Sequence, residues 1–182
     1  MAKIAVIVTN QTEDIELFVP VDVWRRMGFK VTTISVLKTP EVVLANANRY
    51  IADTTLAKVK LTDFDTIFFP GGTGVTTLNE KNAGKLISYV QKNCENKKIL
   101  ITSICAATGM LGKWGIIKNR KATGYPGTTA SFAKTYVNKP VVTVGNLITA
   151  PGPGKAFLLA FAVGEYLAGK AAVAKIKKAL IY

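Results

Sequence analysis

The sequence predicts an α/β domain built on a mostly parallel sheet, and three observations carry that prediction. Residues 3–8 (KIAVIV), 66–69 (TIFF) and the stretch from Ile99 to Ile104 are short, almost continuously apolar runs. Runs of that kind are strands buried on both faces, the signature of a parallel sheet. Segments of helical spacing separate them, so strands and crossover helices alternate. The 182 residues contain no internal repeat and no linker, which makes 1–182 one domain with a sizeable core.

The first strand, 3–8, leads into a polar loop in which Thr12 or Asp14 is expected to cap a helix. That helix runs to about Met27 and stops at Gly28. Pro20 removes the hydrogen bond to the Glu16 carbonyl, so a bend is expected there. Phe29 to Val36 reads as the second strand. Glu41–Leu44 and Arg49–Ala52 read as a small hairpin turned by the Asn residues of Ala45–Asn48. Thr54 to Asp65 reads as a connection. The strand Thr66–Phe69 ends in Pro70-Gly71-Gly72-Thr73-Gly74, and Glu80 to Cys94 is an amphipathic helix. The Ile99–Ile104 strand feeds Cys105 and a helix to about Leu111. Lys121–Gly127 is irregular, and Thr128–Tyr136 is a short helix. Val141–Val144 and Leu147–Thr149 form a hairpin across Gly145-Asn146. Pro153 suits the first turn of an apolar, buried helix, Ala156–Leu167. Gly169 breaks it, and Lys170–Ile181 is a basic amphipathic helix, packed on the domain or on a partner subunit.

Composition narrows the chemistry. The chain has no histidine, which removes Ser–His and Cys–His dyads and His-ligated metal sites, so no metal or other cofactor is expected. Acid–base work near neutral pH falls to a perturbed Cys, Glu, Lys or Tyr. Two cysteines and no recognisable secretory leader predict a reducing, cytoplasmic setting. A Cys94–Cys105 disulfide is not expected, because a strand of about seven residues at ~3.3 Å each separates them. The best apolar run, Ala156–Leu167, is shorter than the ~20 residues a membrane-spanning helix needs, so no membrane association is expected. The net charge of +13 admits nucleic-acid binding. No RNA-binding signature or zinc finger accompanies it, and a solvated basic surface, loosely clustered at Lys113–Lys121 and Lys175–Lys178, is the preferred reading.

Three features fall outside the carboxyl ends of the strands, where parallel sheets place their sites. Cys105 stands at a strand-to-helix turn followed by Ala106, Ala107, Thr108 and Gly109. The positive end of a helix dipole is expected to lower its pKa. The turn is like the G-x-S-x-G elbow, with Ser103 and Ala107 at the glycine positions; the alternative is a buried, inert thiol. Glu16 sits among Ile15, Leu17, Phe18 and Val19. Taken alone it is expected on the exposed face of its helix; buried, it would keep its proton and donate a hydrogen bond. Gly71 and Gly72 can aim backbone N–H groups at an oxyanion. Val75 and Thr76 after Gly74 exclude a P-loop, and the Rossmann spacing is absent.

Four motifs add to this: Glu16-x-x-x-Pro20-Val21-Asp22-Val23 with Arg25-Arg26 and Gly28, Phe69-Pro70-Gly71-Gly72, Ile104-Cys105-Ala106, and Gly152-Pro153-Gly154. Together, over essentially the full length, they resemble the DJ-one/ThiJ/PfpI superfamily, closest to the DJ-one branch of the Parkinson-disease protein deglycase. The resemblance implies a flavodoxin-like three-layer sandwich with a mostly parallel central sheet, assembled as a homodimer. It implies a reactive Cys105 thiolate hydrogen-bonded by a buried, protonated Glu16. It further implies an oxyanion pocket from the N–H groups of Gly72 and Ala106, and Arg26 and Arg49 near the site at the dimer interface. The implied activities are glutathione-independent conversion of methylglyoxal or glyoxal to lactate or glycolate, and deglycation of glycated adducts. The alternative is an oxidative-stress sensor with chaperone-like protection, acting through a Cys105 sulfinate; a third reading is a non-catalytic binding module using the basic surface. Tyr125 stands where the DJ-one branch carries a histidine. Ala106 stands where the protease branch has one, so a Cys–His–Glu peptidase is not expected.

Overall fold

A computed structural model describes residues 1–95 and 98–182. Among the described residues nine strands form two sheets: β1 (Lys3–Val8), β2 (Lys30–Ser35), β3 (Glu41–Val43), β4 (Arg49–Ile51), β5 (Thr54–Thr55), β6 (Thr66–Phe69), β7 (Leu100–Ile104), β8 (Val142–Val144) and β9 (Leu147–Ala150). The main sheet has the order β5-β2-β1-β6-β7-β9-β8 and is parallel except for the β8–β9 hairpin. The second sheet is the antiparallel β3–β4 hairpin. The helices are α1 (Asp14–Arg26), α2 (Glu80–Asn93), α3 (Ala106–Lys113) and α4 (Ala156–Ala179).

The apolar runs become central strands because both faces of the sheet are covered. In β1, Ile4, Val6 and Val8 face one core with Leu17, Trp24, Leu159 and Val163, while Ala5 and Ile7 face the other with Leu86, Val90 and Leu111. Helices α1 and α4 therefore cover one face, and α2 and α3 the other, giving the flavodoxin-like three-layer architecture. Trp24 ties the first layer together: its Nε1 donates to Ala160 O at 3.0 Å, and its ring meets Phe68 edge-on at 5.1 Å.

Several details depart from the sequence reading. Helix α1 is capped by Glu13, which accepts from Glu16 N at 2.7 Å; Thr12 instead closes its own turn with Thr9, and Asp14 accepts from Asn46 and Asn48. The 54–65 connection contains the edge strand β5 and two 3-10 turns, and 129–135 is a 3-10 helix. Gly169, at φ 82, does interrupt α4. The continuous stretch Pro153–Ala179 is nonetheless long and apolar enough, by length and composition, to cross a membrane, contrary to the expectation drawn from Ala156–Leu167 alone. Its Leu159, Ala160 and Val163 are fully buried against the sheet, the ordinary reason for such apolarity in a core helix.

Candidate active site

The carboxyl ends of β1, β6 and β7 lie side by side, and each delivers one part of the site. After β1, the chain turns at Thr9–Thr12, with Gln11 at φ 62, and starts α1. After β6, Gly71 and Gly72 pass against that turn. Glu13 N donates to Gly71 O at 3.0 Å, and Gly71 N donates to Glu16 Oε2 at 2.8 Å. A Cβ on Gly72 would collide with Gln11 O, and one on Gly74 with Asn10 O. Only glycine permits this approach, and Gly72 also needs it for its φ of 98.

The lacing drives Glu16 inward. It is fully buried, not on the exposed face that its helix alone predicts. The missing information was Gly71: an apolar setting pays for a carboxyl only when a donor waits for it. Burial first of all raises the Glu16 pKa to about 7, against the lowering effect of the Gly71 and Cys105 hydrogen bonds. Among the described residues Glu16 Oε1 has no hydrogen-bond partner, while the Cys105 side chain still lies close enough to lower the Glu16 pKa.

Cys105 itself sits at φ 63, ψ −133, a strained conformation for a residue with a side chain. Its neighbours hold it there: Cys105 N donates to Ala150 O at 3.0 Å, and Cys105 O accepts from Thr108 N and Tyr125 N, both at 3.2 Å. The residue is 8% exposed. The N–H groups of Ala106 and Gly72 lie near enough to its sulfur to favour the thiolate.

The expected low thiol pKa is not found. Burial, and next the charge of Glu16, push Cys105 up to about 12, and the Ala106 and Gly72 donors do not offset them. The helix terminus acts in the direction expected but is outweighed. The two acids thus behave as a pair sharing one easily lost proton; the second must leave against the first charge.

Tyr125 lies beside this turn, half-exposed, with its ring edge over Gly152. Arg26 is not brought to the site within one chain. It ends α1, ten residues or about 15 Å along the axis from Glu16, and its Nε donates to Asp22 at 2.7 Å. Arg49 lies on β4 opposite Val43, whose carbonyl accepts from Gln11 N at 2.7 Å; it borders the site's outer loop rather than the sulfur. Sequence reasoning missed Glu13. It caps α1, its own pKa is raised by burial, and its charge raises that of Glu16. An acid three residues before Glu16, at a helix start, was the available signal.

The pattern of the DJ-1/PfpI family matches residues 2–166. The chain is 35% identical over 185 residues to protein dj-1beta of Drosophila melanogaster, spanning 100% of this chain and 98% of that protein. It is 29% identical over 155 residues to a Bacillus subtilis protein named putative cysteine protease YraA, spanning 83% and 89%. Among solved structures it is similar to oxidized Toxoplasma gondii DJ-1, with a TM-score of 0.93, 28% identity, and coverage of 100% of this chain and 99% of that one.

Proposed function

The chain belongs to the DJ-1/PfpI family, and from that premise we propose that it is a cysteine-dependent enzyme acting on small α-oxoaldehydes, methylglyoxal or glyoxal, and on their adducts with proteins. The observation that carries this reading is one buried corner in which Glu16 meets Cys105 while two backbone donors, Gly72 N–H and Ala106 N–H, point at the sulfur.

With Glu16 ionised near pH 7, its carboxylate takes the Cys105 proton as sulfur attacks the aldehyde carbon. The carbonyl π pair moves to oxygen, Gly72 and Ala106 hold the resulting oxyanion, and Glu16 hands it the proton taken from sulfur, giving the hemithioacetal hydroxyl and a free carboxylate. Glu16 then removes the proton from that carbon and returns it to the adjacent ketone carbon through an enediol. The aldehyde carbon is oxidised to a thioester, and the ketone is reduced to an alcohol. Water hydrolyses the thioester, releasing lactate and the thiol, so no external redox partner is needed. Tyr125, whose backbone N–H donates to Cys105 O at 3.2 Å, offers a hydroxyl donor beside this turn. Release of lactate from methylglyoxal tests the reading. Wild type should form it and Cys105→Ser should not; no product from wild type, or an unchanged rate in the variant, refutes it.

A redox-sensing role has its own support: the donors around sulfur suit a sulfinate, and a similar fold has been solved in an oxidized state. This reading needs no histidine. Exposed Ile15 and Phe18 on α1, with Val43 and Ile51 on the β3–β4 hairpin, support a homodimer through that face, which also carries Arg49.

A further inference from the structure

Between Glu95 and Glu165 the chain contains no Asp or Glu but nine Lys or Arg. Strand β7, Cys105, α3 and the 129–135 turn all come from this acid-free run. Folding wraps part of it around a cavity of about 280 Å³. Ala106, whose N–H lies near the Cys105 sulfur, lines it together with the apolar side chains of Val75, Leu78, Met110 and Trp114 and with the exposed Lys113.

The spacing Ala106, Gly109, Met110, Lys113 places these residues on one face of α3. Lys113, the last residue of α3, lies eight residues or about 12 Å along the helix axis from Cys105. A second hollow of about 340 Å³ shares Ala130 and Ser131 with the first and adds Lys118 and Lys134. Lys118 is paired with Glu95 at 2.6 Å. Among the described residues, neither Lys113 nor Lys134 makes an ion pair. The wall opposite α3 is fixed: a Cβ on Gly109 or Gly112 would collide with Thr128 O or Ser131 Oγ, and Ser131 Oγ donates to Gly109 O at 2.8 Å.

We propose that this cavity is a subsite for the body of a substrate that is apolar and carries an anionic group, an α-oxoaldehyde with a carboxylate for example. The inference rests on the aldehyde reading for the reaction but not for the binding. An apolar wall takes the body, and a lysine at its rim attracts the anion more strongly than it would in open water. Neutral methylglyoxal uses none of this. The surrounding positive charge adds an attraction that acts over about 8 Å at physiological salt.

Trp114 lines the cavity and reports occupancy by fluorescence, so benzoate and benzamide, alike in shape and different in charge, form the probe pair. Benzoate should bind wild type about tenfold tighter than benzamide, and raising salt from about 0.05 to 0.5 M should weaken benzoate alone. Lys113→Gln should bring the two ligands within about twofold of each other. Equal affinities in wild type, or benzoate binding unaffected by Lys113→Gln, would overturn the subsite. Turnover of 4-carboxyphenylglyoxal against phenylglyoxal separates the two claims. If neither aldehyde is consumed while benzoate binds through Lys113, the reaction fails and the subsite stands. If both are consumed with one KM and benzoate does not bind, the subsite fails and the reaction stands.

Discussion

Gly71 and Glu16 hold each other in place: Gly71 N–H donates to Glu16 Oε2 at 2.8 Å, and the Gly71 carbonyl accepts from Glu13, the cap of the helix that carries Glu16. The loop after β6 thereby sets where the acid sits relative to Cys105.

A methyl group at this position should therefore break the site. The Cβ of Gly71→Ala would lie 2.7 Å from both Cys105 Cβ and Glu16 Oε2. We expect a stability loss of about 1–3 kcal/mol from overpacking, together with loss of lactate formation. Urea unfolding and the methylglyoxal assay check both; unchanged stability with full activity would contradict the packing described.

Stability should fall as pH rises through the acid range. Glu16 has its pKa raised from 4.5 to about 7 by burial. A raised folded-state value means that its contribution is complete below the unfolded value and is lost on the way up to the folded one. Between pH 4.5 and about 7 this group should cost up to about 3 kcal/mol, levelling off above. Glu16→Gln cannot ionise, so its urea midpoint should be flatter over the same window. Equal slopes in the two proteins would show that Glu16 is not held this way.

Mild peroxide should convert the Cys105 thiol to a sulfinate, each of two peroxide equivalents delivering one oxygen and leaving as water. Intact mass should show about two added oxygens on wild type. Glu16→Leu removes the acid proposed to hydrogen-bond the sulfinate, and at equal dose the adduct should be absent. Equal oxidation of both proteins would remove Glu16 from the redox chemistry.

Asp14 should anchor the hairpin loop. Burial alone would raise its pKa, but Asn48 at 2.6 Å and Asn46 at 3.0 Å outweigh that and hold it below the ordinary value. Asp14→Ala leaves these donors without their acceptor, at a cost of about 1–3 kcal/mol. Faster amide exchange at Leu44 and Asn46, with the core strands unaffected, is the expected signature.

The sheet was legible in the sequence because parallel strands covered on both faces leave continuous apolar runs, and 66–69 appears with the bounds read from its residues. β5 was not legible: two residues at a sheet edge, Thr54 and Thr55, carry no periodicity to read. Arg26 matched a motif in sequence, yet a helix of known rise carries it away from its own chain's sulfur.

The residues by themselves determined which groups could do chemistry here. A chain without histidine, with one cysteine at a strand-to-helix turn and glycines after a neighbouring strand, leaves few other candidates. Only the tertiary structure decided how those groups are charged. Whether Glu16 faces water or Cys105 depends on a donor 55 residues away in the chain, Gly71 N–H. Desolvation by the packed core outweighs the helix terminus at the sulfur. Local sequence fixes the dipole of a turn, but the burial that opposes it comes from every element packed around that turn.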